Sequence, residues 1–190
     1  KLGLELHRCD FYEETQVQAF IDDIAAQHTG LRAIIHNASD WLPDNADYPP
    51  DEILRRMMAV HVAAPYRINL GLAGLLKADA PADIVHIGDY VSGRGSKKHV
   101  AYAASKAAQD NLTLSFAAKL GPKVKVNSLA PALLKFNDED DLSSRERALS
   151  KNLIRREGGF EELQHAVDYL FASHYVTGRV LPLDGGRHLR

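Results

Sequence analysis

Apolar and polar residues recur along this chain with two alternating periods. Leu2, Leu4 and Leu6 alternate with polar neighbours as far as Cys9 and Asp10, the period of a strand. Over residues 13–28 the apolar positions Val17, Phe20, Ile21, Ile24 and Ala25 share one face of an amphipathic helix, which Thr29-Gly30 stops. Residues 31–36 form a short apolar run, read as a buried strand, and a loop rich in Pro, Asp and Asn follows to residue 50. Pro49-Pro50-Asp51-Glu52 is helix-start chemistry, and the helical pattern continues to about Lys77, with an adjustment expected near Pro65. Residues 83–87 are strand-like and end in Gly88-Asp89-Tyr90; residues 99–120 carry helix formers; residues 123–129 are again strand-like, closed by Ala130-Pro131-Ala132. Residues 137–144 are polar and acidic, read as a mobile loop or lid. Helical pieces over 145–154 and 160–173 and a closing strand within 176–186 complete the pattern.

Strands that alternate with helices of this length predict βαβ units and an α/β fold: a doubly wound parallel sheet with helices on both faces. Its connections are expected to be right-handed, and its ligands to sit at the carboxyl ends of the strands. Those ends carry Asp10, Asn37-Ala38-Ser39, Asp89 and Pro131-Ala132, the polar or unusual residues of the chain.

Composition narrows the possibilities. With 190 residues, 45% of them hydrophobic, the chain suffices for a single domain over 1–190 with a real core. A formal net charge of −2 leaves no basic footprint, so no nucleic-acid partner is expected. A lone cysteine, Cys9, excludes an intrachain disulfide and fits a reducing compartment. The nine histidines lack ligand-like spacing, so no metal is expected. No apolar run approaches the roughly 20 residues that span a bilayer, and the opening residues do not form a signal peptide. The expected setting is cytoplasmic, without membrane contact. No glycine-rich phosphate loop stands near the start, and Gly93-Arg94-Gly95 reads as a turn, because it does not open the following helix where such a loop would.

The candidate chemistry starts from Tyr102 and Lys106. Four residues apart in a helix, they share a face one turn from each other. An ammonium beside a phenol favours the phenolate, so Tyr102 is expected to titrate below the usual value of about 10, as suits a general acid working near neutrality. Alone, the spacing describes two surface residues equally well.

Placed in order, the motifs resemble the short-chain dehydrogenase/reductase family over nearly the whole chain. Tyr102-Ala103-Ala104-Ser105-Lys106 is similar to its Tyr-x-x-x-Lys, and Asn37-Ala38-Ser39 stands where it has Asn-Ala-Gly. Asp10 is like its adenine-side aspartate, Pro131-Ala132 is like its Pro-Gly, and Thr177-Gly178 with Asp184-Gly185-Gly186 resembles its last strand. The resemblance implies a Rossmann-like fold whose first two β-α units are missing from this chain, an N-terminal truncation. It implies NADPH as cofactor, with NADH as the alternative. Asp10, Phe11, Asn37, Ala38, Ser39, Tyr102, Lys106, Pro131, Ala132 and Leu133 are then expected to contact that cofactor. It also implies a homo-oligomer, a dimer or tetramer. The tail over 187–190 reads either as a solvated terminus or as a basic segment reaching a neighbouring subunit.

One departure redirects the chemistry. Where the family usually has a serine 13 residues before the tyrosine, this chain has Asp89. A carboxylate repels the negative charge that develops on a ketone oxygen but suits a ligand rich in N–H donors. The same replacement occurs in the pteridine reductase branch, which this chain resembles, so Asp89, Tyr102, Lys106, Ser39 and Trp41 are expected to serve a pterin or folate substrate. Tyr102 would be the proton donor and Lys106 its tuner. Each has a plainer alternative: Asp89 as a loop cap, Trp41 as a core residue rather than a ring stacked on pterin. His61, where the family has an asparagine, reads evenly as a proton relay or a buried core histidine. Two other functions stay open: a carbonyl or 3-oxoacyl reductase that tolerates Asp89, and a cofactor-binding member without turnover.

Overall fold

Four parallel strands, β1 (Ala33–His36), β2 (Ala82–Ile87), β3 (Val124–Pro131) and β4 (Arg179–Leu183), lie side by side in the order β1-β2-β3-β4. A computed structural model of the chain describes residues 3–76 and 81–190. Because every connection returns to the same end of the sheet, all four strands finish at one edge. This is the Rossmann-like, doubly wound arrangement expected from the alternation of periods.

The two faces sort by residue parity. Ala82 and Ile84 of β2, with Val124 and Val126 of β3, pack on Phe116 and Ala117 of helix α4 (Val100–Leu120). Val85 and Leu129 point the other way, onto Leu170 of helix α6 (Phe160–Ala172). Helix α1 (Glu14–Gln27) lays Val17 and Ile21 against Ala64, Ile68 and Leu72 of helix α3 (Ala64–Leu72). Asp83, fully buried between the sheet and α6, is neutralised by Lys125 Nζ at 2.6 Å and Arg32 Nη1 at 2.6 Å.

The strand expected over residues 2–10 does not form in the described part of that segment: residues 3–10 have no regular structure, and Leu4 and Leu6 are exposed. Period-two alternation becomes a strand only when a neighbour takes up its backbone N–H and C=O groups. Among the described residues β1 pairs with β2 on one side and with no strand on the other. The segment is instead tied to α1 through side chains, with His7 Nδ1 2.9 Å from Asp23 and Cys9 and Phe11 resting on the α1–α3 core.

The long helix expected from residue 50 is interrupted. Helix α2 (Pro50–Met58) passes into a π-helical turn (Ala59–Ala63), then α3 and a 3-10 turn (Ala73–Leu75), while Lys77 lies outside the described residues. Pro65 has no N–H for the carbonyl four residues back, and the wider turn before it accommodates that loss. Within the acidic segment 137–144, Asp141 accepts the Ser144 N–H at 2.7 Å and caps helix α5 (Leu142–Ser150), so the second half of the expected loop is helix. Among the described residues no helix is long and apolar enough to cross a membrane, and no three His, Cys, Asp or Glu gather as metal ligands do.

Candidate active site

Strand β2 delivers Asp89 to the carboxyl edge of the sheet, and α4 delivers Tyr102 and Lys106. Between them Gly88 sits so close to β3 that a Cβ there would lie 2.8 Å from Ser128 Oγ and 3.2 Å from Asp110 Oδ1. Asp89 is a loop cap, the plainer of its two readings: Oδ1 accepts the Val91 N–H at 2.7 Å, capping the 3-10 turn Tyr90–Gly93, while Oδ2 accepts the Tyr102 hydroxyl at 2.7 Å.

The expected tuning of Tyr102 is corrected by this geometry. Tyr102 is 7% exposed and its phenol is held well above the ordinary value, by burial first and then by the charge of and hydrogen bond to Asp89; the neighbouring Ser39 hydroxyl opposes them. Lys106, 2% exposed, lies 5.8 Å from the Tyr102 ring centroid and donates to the Ile87 carbonyl at 2.9 Å and to Gln109 Oε1 at 3.5 Å. Burial pushes its own pKa down to about 8, against the pull of Asp89 and Asp110. The lysine is thus held by main chain beneath the tyrosine, and burial together with the aspartate keeps the phenol protonated.

His61, brought in by the π-helical turn, is fully buried and bridges two serines. Nδ1 lies 2.8 Å from Ser105 Oγ and Nε2 lies 2.8 Å from Ser39 Oγ. Ser105 gives its only hydroxyl proton to the Tyr102 carbonyl at 2.8 Å, so it must accept from Nδ1–H. Nε2 is therefore the bare nitrogen and accepts from Ser39, whose oxygen stands beside the Tyr102 hydroxyl. Burial, followed by the Lys106 charge, lowers the His61 pKa to about 3, so the ring is neutral. Of the two readings of His61, the geometry displays the buried histidine with both ring nitrogens hydrogen-bonded.

Sequence reasoning missed the polar layer below. His36 Nε2 lies 2.7 Å from Asn69 Oδ1, Asn69 Nδ2 lies 3.4 Å from His86 Nε2, and His86 Nδ1 lies 2.7 Å from Thr113 Oγ1, with all four residues buried. Asp110 accepts from Ser92 at 2.5 Å and from Ser128 at 3.0 Å, and burial raises its pKa. A signal existed: Tyr102, Lys106, Gln109, Asp110 and Thr113 recur at helical spacing, a polar stripe on the face that α4 turns inward.

The remaining expected positions divide between clefts. Phe11, Asn37 and Ala38 line a largely apolar cavity of about 260 Å³ along the open side of β1. Asp10 stands outside it, its carboxylate accepting the Tyr12 N–H at 2.9 Å in a turn before α1. Pro131 and Ala132 share a second cleft with Asp89, whereas Leu133 lines a third, toward Gly158. Trp41 is 60% exposed, which excludes the core role, and it stacks on His99 at 4.0 Å between centroids. Asp40 beside it accepts from the Tyr12 hydroxyl.

Known proteins are similar to this chain in sequence and fold. A family profile described as Enoyl-(Acyl carrier protein) reductase matches residues 1–188. Dihydromonapterin reductase of Escherichia coli is 50% identical over 192 residues, an alignment covering all of this chain and 80% of that protein. Dihydromonapterin reductase of Klebsiella pneumoniae is also 50% identical, over 185 residues, covering 96% of this chain and 77% of the other. Among solved structures, FolM alternative dihydrofolate reductase 1 from Brucella canis, complexed with NADP, matches with a TM-score of 0.83 at 25% identity, covering 97% of this chain and 73% of that one.

Proposed function

The chain belongs to the short-chain dehydrogenase/reductase family of oxidoreductases, and from that premise we propose that it reduces a 7,8-dihydropterin at a C=N bond with NADPH. Dihydromonapterin is the first candidate substrate and dihydrofolate the second. The observation that carries the reading is the pair Asp89–Tyr102: a carboxylate, not a hydroxyl donor, faces the tyrosine at 2.7 Å. A ketone oxygen would meet a negative charge there, whereas the amino and ring N–H groups of a pterin find an acceptor. The names of the relatives point the same way.

The fit to a dinucleotide rests on the apolar cleft at the open side of β1, lined by Phe11, Asn37 and Ala38, and on the cation of Lys106, 5.8 Å from the Tyr102 ring centroid. Phe11, Asn37, Ala38, Lys106, Pro131 and Ala132 would hold the cofactor, with Asp10, Ser39 and Leu133 at its margins. When bound, NADPH supplies the hydride. Asp89 orients the pterin edge, and Tyr102, kept protonated by burial and by Asp89, delivers the proton to the ring nitrogen. Ser39, fixed by donating to the bare nitrogen of His61, holds its oxygen beside the Tyr102 hydroxyl.

The test is NADPH oxidation with dihydromonapterin, dihydrofolate and a simple ketone compared side by side. Turnover of the pterins with little on the ketone is expected. Activity confined to the ketone would replace this reading with a carbonyl or 3-oxoacyl reductase, and cofactor binding with no turnover of any of them would point to a non-catalytic member of the family.

A further inference from the structure

Beyond Asp89, on the side away from Pro131 and Ala132, lies a cavity of about 580 Å³ whose walls include Tyr90, Arg94, Lys151, Arg187 and Arg190. Three separate pieces of chain supply these cations: the turn after β2, the residue following α5, and the 3-10 turn after β4 (Arg187–Leu189) with the residue that follows it. The tail at 187–190 therefore lines its own chain's cavity. Four positive charges face one carboxylate, and that carboxylate is already engaged with Val91 and Tyr102. None of the four cations is in an ion pair among the described residues. The nearby Asp184 is taken up by His188 at 2.7 Å.

Two of the guanidinium groups are held in place. Arg187 donates from Nε to Asn152 Oδ1 at 2.9 Å and from Nη2 to the Ala148 carbonyl at 3.3 Å. Arg94 donates to the Tyr90 hydroxyl at 2.5 Å. Both lie near the Tyr90 ring, 5.7 Å and 5.8 Å from its centroid to Cζ, so one aromatic side chain spaces them. Each keeps most of its five N–H donors unclaimed. Like charges collected without counterions around a concave space favour an anion there, and guanidinium forks match carboxylate and phosphate geometry.

Arg187 and Arg190 follow β4, at the opposite edge of the sheet from the apolar cleft beside β1. Asp89 lines both this cavity and the cleft of Pro131 and Ala132. A ring set against Asp89 therefore borders the cationic cavity as well. We propose that this cavity is a subsite for an anionic arm of the substrate, a carboxylate or a phosphate ester carried on the pterin side chain; the proposal rests on the pterin reading above. A neutral polyhydroxy side chain would fit the space without using the charges.

The test compares a neutral dihydropterin, the same pterin phosphorylated on its side chain, and dihydrofolate with its glutamyl carboxylates. KM for an anionic substrate is expected to rise with salt, because the cavity is open enough to be screened, while KM for the neutral one holds. Arg94→Gln and Lys151→Gln, both on exposed residues, should each raise KM for the anionic substrate about three- to ten-fold with kcat and the neutral substrate's KM little changed. Whichever anion responds, phosphate or carboxylate, names the arm. Equal KM for neutral and anionic pterins, insensitive to salt and to both variants, overturns the subsite and leaves pterin reduction standing. Calorimetry with inorganic phosphate and with glutarate reads the subsite without turnover. Binding that both variants weaken supports it even if no pterin is reduced, in which case the pterin reading falls; no binding, or equal binding by the variants, overturns it.

Discussion

The Tyr102 hydroxyl donates to the Asp89 carboxylate at 2.7 Å, and this bond, together with burial, keeps the phenol protonated far above neutral pH. Asp89→Asn removes the charge that opposes ionisation. Tyr102 should then ionise at lower pH, read from the alkaline ultraviolet difference spectrum against Tyr102→Phe as blank. Pterin turnover should fall about 100-fold or more in either variant, the range of a lost acid–base group. An unmoved phenol titration would mean that burial alone controls Tyr102.

Lys106 carries a separate pH signature. Its pKa is pushed down to about 8 by burial, so its ammonium is intact below that value and lost above it. If the charge holds cofactor, kcat/KM should decline as pH rises through about 8, with no contribution from Tyr102 in that range. The limb should vanish in Lys106→Met, on a lower residual rate. Its persistence there would assign it to another group.

Three buried histidines make the fold acid-sensitive. His36, His61 and His86 stand at about 4, 3 and 3 in the folded chain, against 6.5 for the free group, chiefly through burial. The unfolded chain therefore binds more protons below 6.5, and stability present at neutrality is lost as pH falls from about 6.5 toward 4 and 3. Each ring contributes a slope of about 1.4 kcal/mol per pH unit inside that window. Urea unfolding at stepped pH should show this decline, and His86→Gln, which keeps a polar group toward Thr113, should make it shallower. An unchanged slope would mean that the His86 ring takes up no extra proton on unfolding.

Gly88 should not tolerate a side chain. In Gly88→Ala the new methyl meets Ser128 Oγ at 2.8 Å and the Leu129 carbonyl at 3.3 Å, so β2 and β3 must separate or Ser128 must leave Asp110. A loss of about 1–3 kcal/mol in chemical denaturation is expected, accompanied by lower turnover, because Asp89 is the next residue. Wild-type stability with wild-type turnover would show that the strand ends yield more easily than their packing suggests.

Much of this was legible in the chain itself. The alternation of periods two and 3.6 specified parallel strands and covering helices, since both periods arise from backbone geometry within a few residues. The same regularity put Tyr102 and Lys106 on one face and, had it been followed further, would have added Gln109, Asp110 and Thr113. The strand expected over 2–10 is absent from the described residues 3–10 because a strand needs a ladder partner, and alternation carries no information about whether one stands alongside. The tuning of Tyr102 failed for a similar reason. Spacing showed that Lys106 was near, but not that Asp89, 13 residues earlier, would be nearer to the hydroxyl.

What the sequence determined by itself was therefore local: which segments are strands or helices, and which chemistry-bearing residues fall at strand ends. The tertiary structure decided how those residues act. Bringing Asp89, Ser39 and His61 around Tyr102 joins loops and helices up to 63 positions apart, and enclosing them removes the water that sets ordinary pKa values. The cations of the turns after β2, α5 and β4 converge only once the sheet order puts those turns around one cavity. Periodicity is a property of neighbours in the chain; desolvation and charge depend on neighbours in space, and only folding creates those.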